Sequence, residues 1–150
     1  MIIFRVPLIA IFLATAVPSL AQTTPEAITD AAFEDFKKGD AKKVIENLLA
    51  KAPVISVGPA EKTNLINTLN TYLSSHGKVE GWNLVHSRKA SDRFVKHFYM
   101  VFQENYAQSW EISFYRTTKG WTIVAFSFDD KLDDLLEAEW LKTMEQLIEE

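Results

Sequence analysis

The spacing of the apolar residues changes at Gly81, and this change restricts the chain to folds in which helices precede a sheet. Before Gly81 the apolar residues recur every three or four positions, as in an amphipathic helix. After Gly81 they alternate with polar residues, as in strands that bury one face. Helices followed by strands predict an α+β domain rather than repeated βαβ units.

Capping residues, glycines and prolines divide the first half of the domain into three helices. Each predicted helix has a residue that favours a helix start, and the three starts are Thr24-Pro25, Asp40 and Pro59. Each is followed by a residue that stops a helix, and the three stops are Gly39, Pro53 and Gly77.

The alternating half predicts four strands that form an antiparallel meander. Their expected ranges are Trp82–Lys89, Arg93–Glu104, Gln108–Thr117 and Trp121–Phe128. Three-residue hairpin turns are expected between them, at 90–92, 105–107 and 118–120. A last helix is expected from Asp130, with an apolar stripe that begins at Leu132. The full prediction is three N-terminal helices packed on a four-stranded antiparallel meander sheet, plus a C-terminal helix.

Residues 1–21 differ in composition from the rest of the chain. They contain one basic residue, Arg5, no acidic residue, and an uncharged run from Val6 to Val17 that leads to the small residues before Gln22. This pattern predicts a secretory signal peptide cut after Ala21, which leaves residues 22–150 as a single domain. The run is shorter than the roughly 20 residues of a membrane span, so we expect it to be cleaved rather than to remain as an anchor. We therefore expect no stable membrane insertion of the chain after cleavage. A periplasmic or secreted bacterial location follows.

Charge and cysteine content narrow the classes of protein further. The net charge is −4 and the basic residues form no cluster, so we expect no nucleic-acid partner. The chain contains no cysteine, which excludes disulfide bonds and a lipid anchor on a cysteine at the cleavage site.

A three-residue turn between the second and third strands would define the faces of the sheet. It would pair three apolar residues with three others on a core face: Phe98 with Phe114, Met100 with Ile112, and Phe102 with Trp110. The opposite face would then mix polar and apolar residues, and a tight third turn at Lys119-Gly120 would add Val124, Phe126 and Phe128 to it. Such a face is too apolar to remain fully exposed to water.

The candidate site residues are His97, Tyr99, Glu111, Tyr115 and Phe126, all expected on this mixed face. They could bind a small apolar ligand, line an interface with a protein partner, or pair two subunits in a homodimer. The four polar members could also act as acid and base on a small carbonyl compound. No motif of known catalytic spacing is present, so no catalytic residue is assigned.

The acidic run that begins at Asp129 does not have the pattern of a calcium loop. Its twelfth residue is Trp140 where an EF-hand has Glu, and its central Gly is absent. Carboxylates at this position are typical of a strand-to-helix junction, where they cap free amides. His76, His86 and His97 show no ligand spacing either. We therefore expect no metal and no cofactor.

One resemblance adds to this interpretation. The stretches GKVEGWNLV and GWTIVAFSFDDKLDDLL, together with the three helices and the long hairpin, resemble small exported bacterial proteins with the nuclear transport factor 2-like (cystatin-like) cone fold. The resemblance covers about Phe33 to Leu136. It implies a fold shared by isomerases, cyclases, dehydratases and catalytically inert binding modules, and it assigns no active-site residue. The prediction is an exported, non-enzymatic binding domain, with an isomerase or dehydratase as the alternative.

Overall fold

The computed structural model describes residues 23–133 as an α+β domain. Three helices precede four strands, in the order α1 (Pro25–Lys37), α2 (Ala41–Ala50), α3 (Pro59–His76), β1 (Val79–Ser91), β2 (Phe94–Gln103), β3 (Ala107–Thr117) and β4 (Gly120–Asp129). The predicted signal peptide and C-terminal helix lie outside the described residues. Within those residues no helix has the length and apolarity needed to cross a membrane.

The helix boundaries confirm the capping residues that the sequence indicates. The Thr24 hydroxyl accepts a hydrogen bond from the amide of Ala27 at 3.2 Å, and the Asp40 carboxylate accepts one from the amide of Lys43 at 2.9 Å. α3 begins with Pro59 at its first turn and ends at Gly77, whose φ of 88° favours glycine.

The sheet is the expected antiparallel meander in the order β1-β2-β3-β4. The register between β2 and β3, however, differs from the prediction. Val95 pairs with Phe114, His97 with Ile112 and Tyr99 with Trp110. The three predicted pairs are therefore wrong: Phe98 with Phe114, Met100 with Ile112, and Phe102 with Trp110. Because side chains alternate between the two faces, this odd-numbered shift exchanges the core face and the outer face of β2 relative to β3.

The cause is the turn between β2 and β3. The amide of Gln103 donates a hydrogen bond to the carbonyl of Tyr106 at 2.9 Å, so the closed turn contains two residues, Glu104 and Asn105, rather than the three expected at 105–107. The end of α3 holds this turn in place. The amide of Glu104 donates a hydrogen bond to the carbonyl of Lys78 at 3.1 Å, and the amide of Asn105 donates one to the carbonyl of His76 at 2.8 Å. These long-range contacts leave no signal in the local sequence. The turns between the other strands are also two residues long, at 92–93 and 118–119.

One face of the sheet packs against α1 and α2 and forms the main core. Its members from the strands include Val95, Tyr99, Val101, Trp110, Ile112, Phe114 and Ile123. Phe33 of α1 lies at the centre of the core, with its ring centroid 5.4 Å from that of Tyr99 and 5.2 Å from that of Trp110. The space between helices and sheet is therefore filled with aromatic side chains in edge-to-face contact.

The opposite face, which we call the outer face, carries Lys96, Phe98, Met100, Glu111, Ser113 and Tyr115. Phe98 is a buried aromatic side chain on this face, at 8% exposure, and Val85, Met100 and Leu132 pack around it. Leu132 follows β4, so the chain leaves the sheet along this outer face.

The edge strand β4 is held by the segment between α2 and α3. The amide of Ile123 donates a hydrogen bond to the carbonyl of Lys51 at 2.7 Å. A bulge between Ser113 and Phe114 leaves Val124 as an extra residue in β4. The edge is therefore bent and partly capped, which limits its pairing with another strand.

Candidate functional site

The structure does not bring the five candidate residues together. His97 and Tyr99 face the helices and are each 2% exposed. Glu111 and Tyr115 lie on the outer face. Phe126 pairs with Ile112, packs against the main core and is half-buried. The corrected register accounts for this separation, because it moves the candidates on β2 to the opposite face from those on β3.

His97 and Tyr99 form a buried pair beside the first turn of α1. The Nδ1 atom of His97 lies 3.2 Å from the Tyr99 hydroxyl, and its Nε2 atom lies 3.6 Å from a carboxylate oxygen of Glu26. Burial lowers the pKa of His97, and the negative charge of Glu26 opposes this shift. Burial raises the pKa of Tyr99 to about 12, although a hydrogen bond with Thr29 acts to lower it. Both side chains are therefore neutral near pH 7.

The surroundings of this pair are packed by protein. Phe33 contacts the Tyr99 ring, and the Phe114 ring centroid lies 5.4 Å from that of His97. Glu26, beside His97, has a side chain that is 51% exposed. A substrate would have to displace part of the core before it could meet both His97 and Tyr99, because each is 2% exposed.

Glu111 lies instead in a shallow hollow on the outer face. The hollow has a volume of about 260 Å³ and is lined by Lys96, Glu111, Ser113, Ala125, Phe126 and Ser127. Lys96 forms an ion pair with Glu111, and its ammonium group lies 4.9 Å from the centre of the Phe98 ring. This hollow offers charged and hydroxyl groups to a ligand.

A second, more apolar groove runs along the edge of β4; we call it the β4-edge groove. It has a volume of about 290 Å³ and is lined by Ile55, Val57, Glu61, Leu65, Val124, Ala125 and Phe126. Its size is close to the lower limit of roughly 300 Å³ for small-molecule sites. Ala125 and Phe126 line both this groove and the outer hollow, so the two spaces adjoin at the strand edge.

Of the residues that line this groove, the sequence pattern indicated Val124 and Phe126 but none in the α2–α3 segment or in α3. The signal was present in the stretch VISVGP, where Ile55 and Val57 alternate with exposed residues although no strand or helix forms. Apolar residues in an irregular segment indicate packing against a neighbouring element. In this case the neighbour is the bulged part of β4.

The three histidines do not meet. His86 lies beside Phe98 on the outer face, with ring centroids 5.8 Å apart, whereas His97 faces the helices. His76 stacks on Tyr72 at the end of α3 and has its Nε2 atom 3.9 Å from Asp130. Across residues 23–133, no three histidine, aspartate or glutamate side chains gather in a way that would hold a metal ion.

The aspartates after β4 make local bonds. Asp129 accepts hydrogen bonds from the Ser109 hydroxyl at 3.1 Å and from the amide of Lys131 at 2.7 Å. The Ser109 hydroxyl lies 3.0 Å from the carbonyl of Lys131. This carboxylate therefore closes the turn that ends β4.

Comparison with known structures identifies the fold. The chain is similar to an NTF2-like protein from Campylobacter jejuni that is named as a candidate transpeptidase, with a TM-score of 0.51 and 16% identity over 68% of this chain and 98% of that one. It is also similar to a DUF4783 family protein from Bacteroides uniformis, with a TM-score of 0.44 and 18% identity over 72% of this chain and 97% of that one. The sequence matches no protein-family model and no curated protein. The chain thus has a nuclear transport factor 2-like fold, and its activity does not follow from that fold.

Proposed function

We propose that this protein is an exported binding domain that takes a small apolar ligand into the β4-edge groove. The observation that carries the proposal is the lining of that groove, where five of seven side chains are large and apolar or aromatic: Ile55, Val57, Leu65, Val124 and Phe126. Apolar surface left in a concave site favours an apolar ligand, because binding removes that surface from water.

The neighbouring polar groups suggest the shape of the ligand. Glu61 lies at one side of the groove, and the outer hollow with Lys96 and Glu111 adjoins it past Phe126. An elongated molecule could place its apolar part against Val57 and Leu65 and a polar end near the ion pair. Few polar groups beside a mostly apolar surface are typical of small-molecule sites, in which the polar groups fix the orientation of the ligand.

Binding is a better account than acid–base catalysis. The isomerase or dehydratase alternative needs His97, Tyr99, Glu111 and Tyr115 around one substrate. The first two are each 2% exposed and the last two belong to the other face of the sheet. Export rests on the signal-like composition of residues 1–21.

Two matched variants and a neutral fluorescent probe test the groove. Val57 lines the groove, whereas Val54 lies in the same segment, is 69% exposed and does not line it. Titration with N-phenyl-1-naphthylamine should give saturable fluorescence with the wild type. Val57→Asp should weaken this binding about tenfold or more, because the carboxylate would have to be desolvated beside the probe.

Val54→Asp adds the same charge to the same segment and should bind the probe as the wild type does. Equal weakening in both variants would assign the effect to charge alone and would refute the groove. The proposal also fails if the wild type gives no saturable signal while circular dichroism reports a folded protein.

A further inference from the structure

The hollow on the outer face presents one positive and one negative side chain at fixed positions. Lys96 and Glu111 form an ion pair, and the ammonium group of Lys96 lies over the ring of Phe98, 4.9 Å from the ring centre. The two charged side chains are 37% and 25% exposed, so each is partly shielded from water and still open to a ligand. Charges in such a position are screened less than charges on a fully exposed surface.

The strand order places the two charges at different distances from the edge of the sheet. Lys96 lies on β2 and Glu111 on β3, and Ser127 lies opposite Glu111 on the edge strand β4. A ligand that enters the hollow across β4 therefore meets the serine first, the carboxylate of Glu111 next and the ammonium group of Lys96 last.

The ion pair keeps hydrogen-bonding capacity for a ligand. An ammonium group has several donors and a carboxylate has several acceptor sites, so one contact between them leaves others for a bound molecule. The side chains of Ser113 and Ser127 line the same hollow. A head group with a single charge is attracted by one member of the pair and repelled by the other, whereas a zwitterionic head group is attracted by both.

We propose that the ligand of the β4-edge groove is a single-chain zwitterionic amphiphile, with an ammonium group next to its apolar chain and a carboxylate beyond it. The ammonium group meets Glu111 and the carboxylate meets Lys96, in the order in which the strands present them. The two spaces adjoin at Ala125 and Phe126, and the exposed Ala125 leaves room for the chain to pass. This assignment rests on the proposed function, because the apolar chain must occupy the groove.

Four amphiphiles with the same dodecyl chain test the assignment by displacing N-phenyl-1-naphthylamine below their critical micelle concentrations. Dodecyl betaine has the proposed order of charges, dodecylphosphocholine has the reverse order, and dodecyltrimethylammonium and dodecanoate have one charge each. The betaine should displace the probe at a concentration about tenfold lower than any of the others, because it alone matches both charges in sequence. Displacement by the betaine and by dodecylphosphocholine at equal concentrations would overturn the proposal.

Three variants test the two charged residues. Lys96→Met keeps Glu111 and should shift the preference toward dodecyltrimethylammonium, whereas Glu111→Gln keeps Lys96 and should shift it toward dodecanoate. Lys89→Met removes a positive charge outside the hollow, where Lys89 pairs with Asp92, and should retain the order of the wild type. If Lys96→Met and Glu111→Gln are folded by circular dichroism and keep the wild-type order, the hollow does not hold the head group and the proposal is refuted.

The same titrations separate this proposal from the proposed function. Saturable binding of N-phenyl-1-naphthylamine to the wild type, with equal displacement by all four amphiphiles, would retain the groove and refute the zwitterionic ligand. A folded wild type that does not bind the probe would refute the groove, and the zwitterionic ligand with it.

Discussion

At the scale of single residues, two buried polar side chains depend on specific partners. Asp35 has a side chain that is 7% exposed, and it accepts a 2.7 Å hydrogen bond from the Asn47 amide. Burial alone would raise the pKa of Asp35, but bonds from Lys43 and Lys38 outweigh it and hold the pKa below its usual value. This carboxylate therefore links α1 to α2 and stays charged.

Replacing Asp35 should destabilise the domain measurably. Asp35→Ala removes the partner of Asn47 and of two lysines, and a loss of about 1–3 kcal/mol in the free energy of unfolding is expected. Urea denaturation followed by circular dichroism measures this change. Glu34→Ala, an exposed substitution on the same helix, should change the value by less than about 0.5 kcal/mol. Equal effects in the two variants would contradict the structural role of Asp35.

The second residue, His97, should make stability depend on pH. Burial lowers its pKa in the folded protein, whereas the unfolded chain takes up the proton near pH 6.5. Below that pH the unfolded state binds more protons, so the free energy of unfolding should fall as the pH falls from 7 to 5.

A substitution isolates this contribution. His97→Gln keeps a polar group near Tyr99 and removes the titration, so its unfolding free energy should fall less steeply over the same pH range than that of the wild type. Tyr99→Phe retains His97 and should keep the steeper fall. Parallel curves for the wild type and His97→Gln would show that burial of His97 does not perturb its titration.

At the scale of secondary-structure elements, the sequence predicts the helices and the strand order well but not the strand register. Helix limits depend on local signals such as Thr24, Asp40 and Gly77, which act within a few residues. The β2–β3 register depends on a turn that bonds to the end of α3, more than 25 residues away. That contact has no local signature. An error of one residue in turn length was therefore enough to assign His97 and Tyr99 to the same face as Glu111 and Tyr115.

The junction between α3 and this turn gives an element-scale prediction. A Cβ atom added at Gly77 would lie 2.5 Å from a carboxylate oxygen of Glu104 and 2.8 Å from its Cβ. Gly77→Ala should therefore lower the thermal midpoint through both its positive φ and this clash. Gly39→Ala has a similar φ of 80° and nothing within 4 Å of the added atom, so it should cost only the backbone strain.

The difference between these two glycine variants measures the close packing at the turn. We expect Gly77→Ala to have the lower thermal midpoint of the two when thermal unfolding is monitored by circular dichroism at 222 nm. A Gly77→Ala midpoint equal to or above that of Gly39→Ala would mean that the end of α3 does not constrain the β2–β3 turn.

At the scale of the whole molecule, the fold separates a filled core from an apolar groove at its edge. The aromatic cluster around Phe33 and Trp110 occupies the space between helices and sheet. The homodimer prediction arose from an apolar patch that included Tyr99, and the register places Tyr99 in the core. Pairing of two chains stays a prediction, and the mass of the protein in solution, measured by light scattering, tests it.

Export is a further whole-molecule prediction. If residues 1–21 act as a signal peptide, N-terminal sequencing of the protein from the periplasm or medium should begin at Gln22. Substitution of Ala21 by a large residue should slow this cleavage, and substitution of Thr24 beyond the cut should not. Recovery of the full-length chain from the membrane fraction would contradict the prediction.

Binding in the β4-edge groove is the central claim, and amide chemical shifts of ¹⁵N-labelled protein titrated with N-phenyl-1-naphthylamine test it most directly. The claim predicts that the largest shifts occur at Ile55, Val57, Leu65, Val124 and Phe126, which line the groove from three separate elements. The amides of Phe98 and Met100 on the outer face should move little. Shifts centred on Phe98 and Met100, or shifts at no defined surface, would contradict the claim.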